Sequence, residues 1–203
     1  MSRAFARFLS YLFHPILMPS YVVWLLYHHG TFFESTTSPL EEIALYTIVL
    51  LFTLVLPVTC SYLLLRAGKI RSLEMETREE RLLPFACTMA FQLLAFVLAE
   101  RLRLPRIPNL MLLGAATSVF VAASLSLRWK VSIHMTGIGG VLGVMFGIST
   151  LLIIDMRIPI VMSVLLAGLL GTARLLLEAH RPAEIYAGFA IGFLSEFIVL
   201  TQL

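Results

Sequence analysis

Three short polar segments interrupt an otherwise apolar chain, and each carries groups able to handle a phosphate. The first runs from Lys69 to Pro84 and holds Arg71, Arg78 and Arg81 among several glutamates. The second, Trp129 to His134, places Ser132 two residues before His134. In the third, Arg174, His180 and Glu184 stand six and four residues apart. Arginine forks neutralise phosphate oxygens and the charge that develops on them. One neutral histidine can attack phosphorus, and a second, protonated one can deliver a proton to the leaving oxygen. An acid beside the nucleophilic histidine fixes its tautomer and stabilises the imidazolium. The chemistry these groups suit is phosphoryl transfer from an anionic headgroup. Cys60 and Cys87 lie inside apolar runs, and no Cys/His cluster has metal-ligand spacing, so neither a metal nor another cofactor is expected.

The elements that must position these segments are membrane spans. Of the 203 residues 59% are hydrophobic and 13% charged, against about 45–50% apolar in a soluble domain. Lipid is the solvent such a chain demands. Seven apolar runs are each long enough to cross a bilayer, which takes about 20 helical residues. They cover roughly 8–27, 42–65, 82–99, 108–127, 132–154, 158–177 and 183–200. The fold class is therefore all-α, a polytopic bundle of about seven spans forming one domain over residues 1–203. Arg3 and Arg7 ahead of an apolar run mimic a signal peptide, but the run reaches about Tyr27, too long for one, and reads as a retained first span.

Even numbers of crossings separate the three polar segments, so they share one face with the N-terminus. Eleven of the fifteen lysines and arginines lie on that face, and only Arg101, Arg103, Arg106 and Arg157 on the other. The bias predicts a cytoplasmic N-terminus and polar face and an external C-terminus, in the inner (plasma) membrane of a bacterium. The net charge of +3 sits between apolar runs, so it signals a lipid bilayer and no nucleic acid as partner. Pro15, Pro19 and Pro57 are expected to kink their spans. Gly139, Gly143 and Gly147 predict close packing of the fifth span, and Gly168 with Gly171 the same for the sixth.

The third segment resembles the last motif of the type 2 phosphatidic acid phosphatase (PAP2) superfamily, Ser-Arg-x5-His-x3-Asp. Arg174, His180 and Glu184 keep its spacing, with Ala173 in place of Ser and Glu184 in place of Asp. Gly188 and Gly192 follow at four-residue steps, as in that family. Val131 to His134 resembles its Pro-Ser-Gly-His motif, retaining Ser132 and His134 but placing Ile133 where the family has Gly. The nearest match to its Lys-x6-Arg-Pro motif is Arg71 with Arg78, and Arg81 with Pro84 is a looser one. The resemblance covers roughly residues 69–192. It implies a six-helix core, a phosphorylated membrane lipid as substrate, and a phospho-histidine intermediate formed without a metal. By it, His180 is the nucleophile, Glu184 orients it, His134 is the general acid, and Arg174, Arg71, Arg78 and Ser132 hold phosphate oxygens. The implied reaction is hydrolysis of a phosphomonoester or diphosphate on phosphatidic acid, phosphatidylglycerophosphate or a polyprenyl diphosphate. The alternatives are a lipid phosphotransferase of the same family and a catalytically degenerate protein that binds or transports lipid phosphates.

Other polar residues have plainer readings. Lys69, Arg81 and Lys130 read as interfacial anchors, as do Trp24 and Trp129. Glu74, Glu76, Glu79 and Glu80 read as a solvated, salt-bridged helix start. His14 and Glu196 read as packing residues within spans, the acid being costly enough in the membrane to need a partner. Asp155 and Arg157 read as a brace for the fifth loop. Topology reporters fused to the two ends test the charge argument. A cytoplasm-active reporter is expected to work only at the N-terminus and an exterior-active one only at the C-terminus.

Overall fold

The computed structural model describes residues 1–28, 31–73, 77 and 79–203, leaving aside the side chains at 31, 32, 34 and 79. Among the described residues every regular element is helical. Seven helical stretches are long and apolar enough to cross a membrane, as an integral membrane protein requires. Their bounds lie close to the apolar runs of the sequence.

The first span is built from α1 (Arg3–Leu12), a 3₁₀ turn (Pro15–Leu17) and α2 (Met18–His28). Pro15 dictates the break. The residue before a proline is driven out of the α region, and His14 is extended at φ −67°, ψ 136°. Its Nδ1 accepts from the Ile16 N–H at 3.4 Å, capping the turn. Pro19 then falls in the first turn of α2, where a missing N–H costs nothing, and no second break follows. A short α3 (Thr31–Thr36) leads to the second span, α4 (Pro39–Val49), a π-helical stretch (Leu50–Val55) and α5 (Leu56–Arg66). The wide turn ends just before Pro57, whose ring and missing N–H cannot continue a regular ladder. Within it Thr53 Oγ1 donates to the Val49 carbonyl at 2.8 Å.

Five unbroken helices complete the bundle: α6 (Glu79–Arg101), α7 (Arg106–Ser126), α8 (Ile133–Leu152), α9 (Arg157–Leu176) and α10 (Pro182–Gln202). In the loop before α9, Asp155 and Arg157 pair at 2.6 Å, as the sequence suggests. The most extensive contact in the molecule joins α8 to α10, which run parallel. Glycines make that contact possible. A Cβ at Gly139 would strike the Phe189 carbonyl, and one at Gly143 the Phe193 carbonyl. From the other side, Gly188 sits against the Ser132 carbonyl and Gly192 against the Thr136 carbonyl. The backbones touch directly, the mode that small residues at four-residue spacing permit in membranes.

The sixth span departs from its expectation. Nothing lies within 4 Å of where a Gly168 Cβ would be, and Gly171 has only ordinary contacts, 3.6 Å and beyond. These glycines do not bring two helices together. Gly168 is exposed on the outer side of α9. Gly192→Leu is therefore expected to cost about 3 kcal/mol or more of stability, the upper end for overpacking, because the obstacle is backbone. Gly168→Leu is expected to stay within about 0.5 kcal/mol, as at other open positions. Unfolding of the two variants in matched detergent measures the difference.

Candidate functional site

Parallel packing sets the ends of α8 and α10 side by side. The Ser132 N–H donates to the Glu184 carbonyl at 3.2 Å, which joins the second polar segment to the third. Ser132 occupies the position ahead of α8, where a serine hydroxyl ordinarily caps the helix. Here it makes no cap hydrogen bond. Its Oγ is wholly buried and has no partner among the described residues.

The third segment is shaped by the end of α9. Glu178 takes a left-handed conformation at φ 54°. The Glu178 N–H then returns to the Leu175 carbonyl at 2.9 Å and the Ala179 N–H to the Arg174 carbonyl at 3.1 Å. This is a Schellman closure with glutamate where glycine is usual. It turns the chain so that Pro182 opens α10, where its fixed φ suits a first helical residue. His180 is left in the bend, buried, with Nδ1 3.0 Å from Glu184 Oε2. The same oxygen accepts the Arg181 N–H at 3.1 Å. Nδ1–H donates to the carboxylate, so the Nε2 lone pair is the one left for chemistry. Burial pushes the His180 imidazolium from its ordinary value of 6.5 down to about 4. The Glu184 hydrogen bond pulls the other way, and the Arg174 and Arg81 charges add to burial. The ring is therefore neutral at pH 7, as a nucleophile requires.

His134, second residue of α8, is also buried. Its Nε2 lies 3.1 Å from the Ser10 carbonyl. A carbonyl only accepts, so Nε2 carries the proton and Nδ1 is bare. That Nδ1 has no partner among the described residues. Arg174, near the end of α9, donates from Nη1 to Ser10 Oγ at 3.2 Å. Its charge acts on His14, His134 and His180 alike.

The structure thus gathers His180, Glu184, His134, Ser132 and Arg174 at one end of the bundle. It does not gather Arg71, which is exposed and whose backbone N–H meets Glu80 Oε1 at 2.8 Å. Arg78 lies outside the described residues. The arginine that the first segment does supply is Arg81. It is buried near the start of α6, donates to the Val131 carbonyl at 3.3 Å, and acts electrostatically on His180 and Glu184. Its reading as an interfacial anchor is corrected accordingly. His14 is a packing residue, as the sequence suggests, and the ring it packs against is that of His134, edge-on at 5.3 Å between centroids. The participation of the first span was not read from the sequence. The signal was there in His14-Pro15, a break placed one turn after a serine.

Comparison with protein-family models, curated proteins and solved structures finds no match to this chain. Among the described residues no group of three or more His, Cys, Asp or Glu could hold a metal. The arrangement offers instead a paired histidine with one free nitrogen, a second histidine with one free nitrogen, a hydroxyl and two guanidinium groups.

Two other polar features lie apart. A cleft of about 340 Å³ at the opposite face is lined by Phe33, Glu41, Arg103 and Arg106 among others and, among the described residues, by no histidine. Glu196 is buried midway along α10 against Gly114 and Gly140, and its Oε2 finds no partner among the described residues. The expected partner is replaced by a niche that glycines keep open.

The His180 shift has a stability consequence. The unfolded histidine takes up a proton below about pH 6.5 and the folded one only near pH 4. The unfolded state binds more protons in that window, so stability falls as pH drops through it. His180→Gln is expected to flatten this part of the profile, read as unfolding midpoints in detergent between pH 7 and pH 4.

Proposed function

We propose that the chain is a membrane phosphatase acting on a phosphomonoester or diphosphate headgroup of a lipid. The observation that carries this reading is the pair of buried, unpartnered atoms, Ser132 Oγ and His134 Nδ1, beside the His180–Glu184 pair. Buried polar groups are nearly always hydrogen-bonded; a phosphate oxygen would accept from the Ser132 hydroxyl, and a phosphate P–OH would donate to the bare His134 nitrogen.

In this reading His180 Nε2 attacks phosphorus and the bond to the leaving oxygen breaks. The headgroup enters with one proton on a phosphate oxygen; the bare His134 Nδ1 takes that proton and passes it to the leaving oxygen, and Glu184 stabilises the charge arising on the His180 ring. Arg174 and Arg81 bind the equatorial oxygens as charge develops there. Water, deprotonated by His134, then attacks phosphorus, the N–P bond breaks, and inorganic phosphate leaves. Apart from water and the lipid, every group in the sequence is a side chain of this protein. The resemblance of Arg174, His180 and Glu184 to the last motif of the type 2 phosphatidic acid phosphatases supports the same assignment.

Phosphatidic acid, phosphatidylglycerophosphate and polyprenyl diphosphates are the candidate substrates. The charge bias supports a cytoplasmic site in an inner membrane, which favours lipids made in the inner leaflet. The substitutions Ile133 and Ala173 favour, as a second reading, a protein that binds lipid phosphates without turnover. One assay separates them: phosphate release from a panel of phosphorylated lipids, with and without a chelator. The expected result is metal-independent release from at least one lipid, lowered at least 10³-fold by His180→Ala, as for loss of a covalent nucleophile. Binding without release supports the second reading, and transfer to an added acceptor lipid supports a phosphotransferase.

A further inference from the structure

We propose that Ser10, on the first span, is the residue that positions both the phosphate-binding arginine and the acid histidine; this rests on the phosphoryl-transfer reading above. Ser10 is only 6% exposed and uses all its polar atoms. Its Oγ donates to the Ala6 carbonyl at 3.0 Å and accepts from Arg174 Nη1 at 3.2 Å. Its carbonyl accepts from His134 Nε2 at 3.1 Å.

The carbonyl is available for a reason that begins in the sequence. In a continuous helix the Ser10 carbonyl would receive the N–H of His14. Pro15 forces His14 out of the helix, and the His14 N–H turns to the Tyr11 carbonyl at 3.3 Å. The Ser10 carbonyl is then one of the last acceptors of α1, which a helix end leaves without an internal partner. His134 supplies one. Since a carbonyl can only accept, this bond holds His134 in the tautomer that leaves Nδ1 bare. Nδ1 is thereby the nitrogen that exchanges the proton.

One residue therefore holds two groups that the sequence places far apart. Its side chain sets the reach of Arg174, and its backbone sets the tautomer of His134. The break at His14–Pro15 makes the second task possible. The first span is, on this view, part of the site.

The test uses the full chain in lipid nanodiscs, with orthovanadate as the phosphate probe. Ser10→Ala removes only the Oγ contact. It is expected to weaken vanadate binding on the order of ten-fold, the scale of a hydrogen bond to a charged group. On a hydrolysed lipid it should raise KM more than it lowers kcat, and Ser10→Thr should restore both. A second arm reads the backbone. In the wild type, ¹⁵N spectra should show His134 protonated on Nε2. In Pro15→Ala the helix can continue, the His14 N–H can reclaim the Ser10 carbonyl, and His134 should become a tautomer mixture. Wild-type protein that binds vanadate with an affinity Ser10→Ala leaves unchanged overturns the role of Ser10 alone. A wild-type His134 protonated on Nδ1 does the same. Wild-type protein that binds no vanadate sinks the phosphate reading and this inference together.

Discussion

The backbone contact between α8 and α10 is the constraint on which the rest of this molecule depends. Gly188 faces the Ser132 carbonyl and Gly192 the Thr136 carbonyl, a constant offset of 56 residues along two parallel helices. Any side chain at these places would push the helices apart or slide one along the other. Because the helices are parallel, their first turns lie at the same end, and their N-terminal dipoles reinforce one another there. The Ser132–Glu184 backbone bond locks that end. His134 in the first turn of one helix and Glu184 in the first turn of the other are thereby held at one depth. The glycines after His180 are a condition of the cluster's geometry and no mere accompaniment to it.

The first span shows the opposite device, a helix interrupted so that its backbone becomes available. An interrupted helix at membrane depth leaves polar groups that must be satisfied inside the protein. Here the Ile16 N–H and the Ser10 carbonyl both find partners. The His14 side chain caps the next turn, and His134 takes the Ser10 carbonyl. The same break turns the His14 ring toward His134. The break at Pro15 thus supplies contacts at the cluster, and similarly the left-handed Glu178 delivers His180 to its place in the bend.

How much of this could be read from the chain follows from which forces are local. The seven spans were legible because hydropathy over 20 residues is a strong, additive signal, and the structural bounds differ by only a few residues. Parity then put three polar segments at one face without any tertiary detail. The Arg174, His180 and Glu184 spacing was legible because one bend and one helical turn fix it. What was not legible depends on packing between distant spans. Arg71 and Arg81 have the same charge and lie in the same segment, and only the burial of the start of α6 distinguishes the one that reaches His180. Ser10 and His14 looked like ordinary span residues because their partners are more than 100 positions away. Gly168 and Gly171 carry the same small-residue signature as Gly139 and Gly143. The pattern says where helices can approach, and which face meets a neighbour is decided by the whole bundle.

The depth of the cluster bears on what it would act upon. His180 sits in the bend between α9 and α10, and Arg174 in the last turn of α9, so the charged groups lie at the ends of apolar spans, where a bilayer's headgroups would begin. Around them the outer faces of the spans are apolar: Phe8 and Tyr11 on α1 and Leu175 on α9 are exposed. A phosphorylated lipid can bring its phosphate to this level while its chains stay beside those faces. A soluble phosphate ester gains nothing from them. Its recognition would rest on the guanidinium groups alone, against the full cost of stripping water from a dianion. Each buried methylene of an acyl or prenyl chain is worth about 0.8 kcal/mol in principle, but a lipid already in the bilayer has that term before it binds. What the apolar surroundings supply is local concentration and orientation, with the phosphate held at the interface and the chain pointing inward. If the proposed function holds, discrimination among lipids would come from the headgroup end, from how many oxygens Arg174, Arg81 and Ser132 can reach at once.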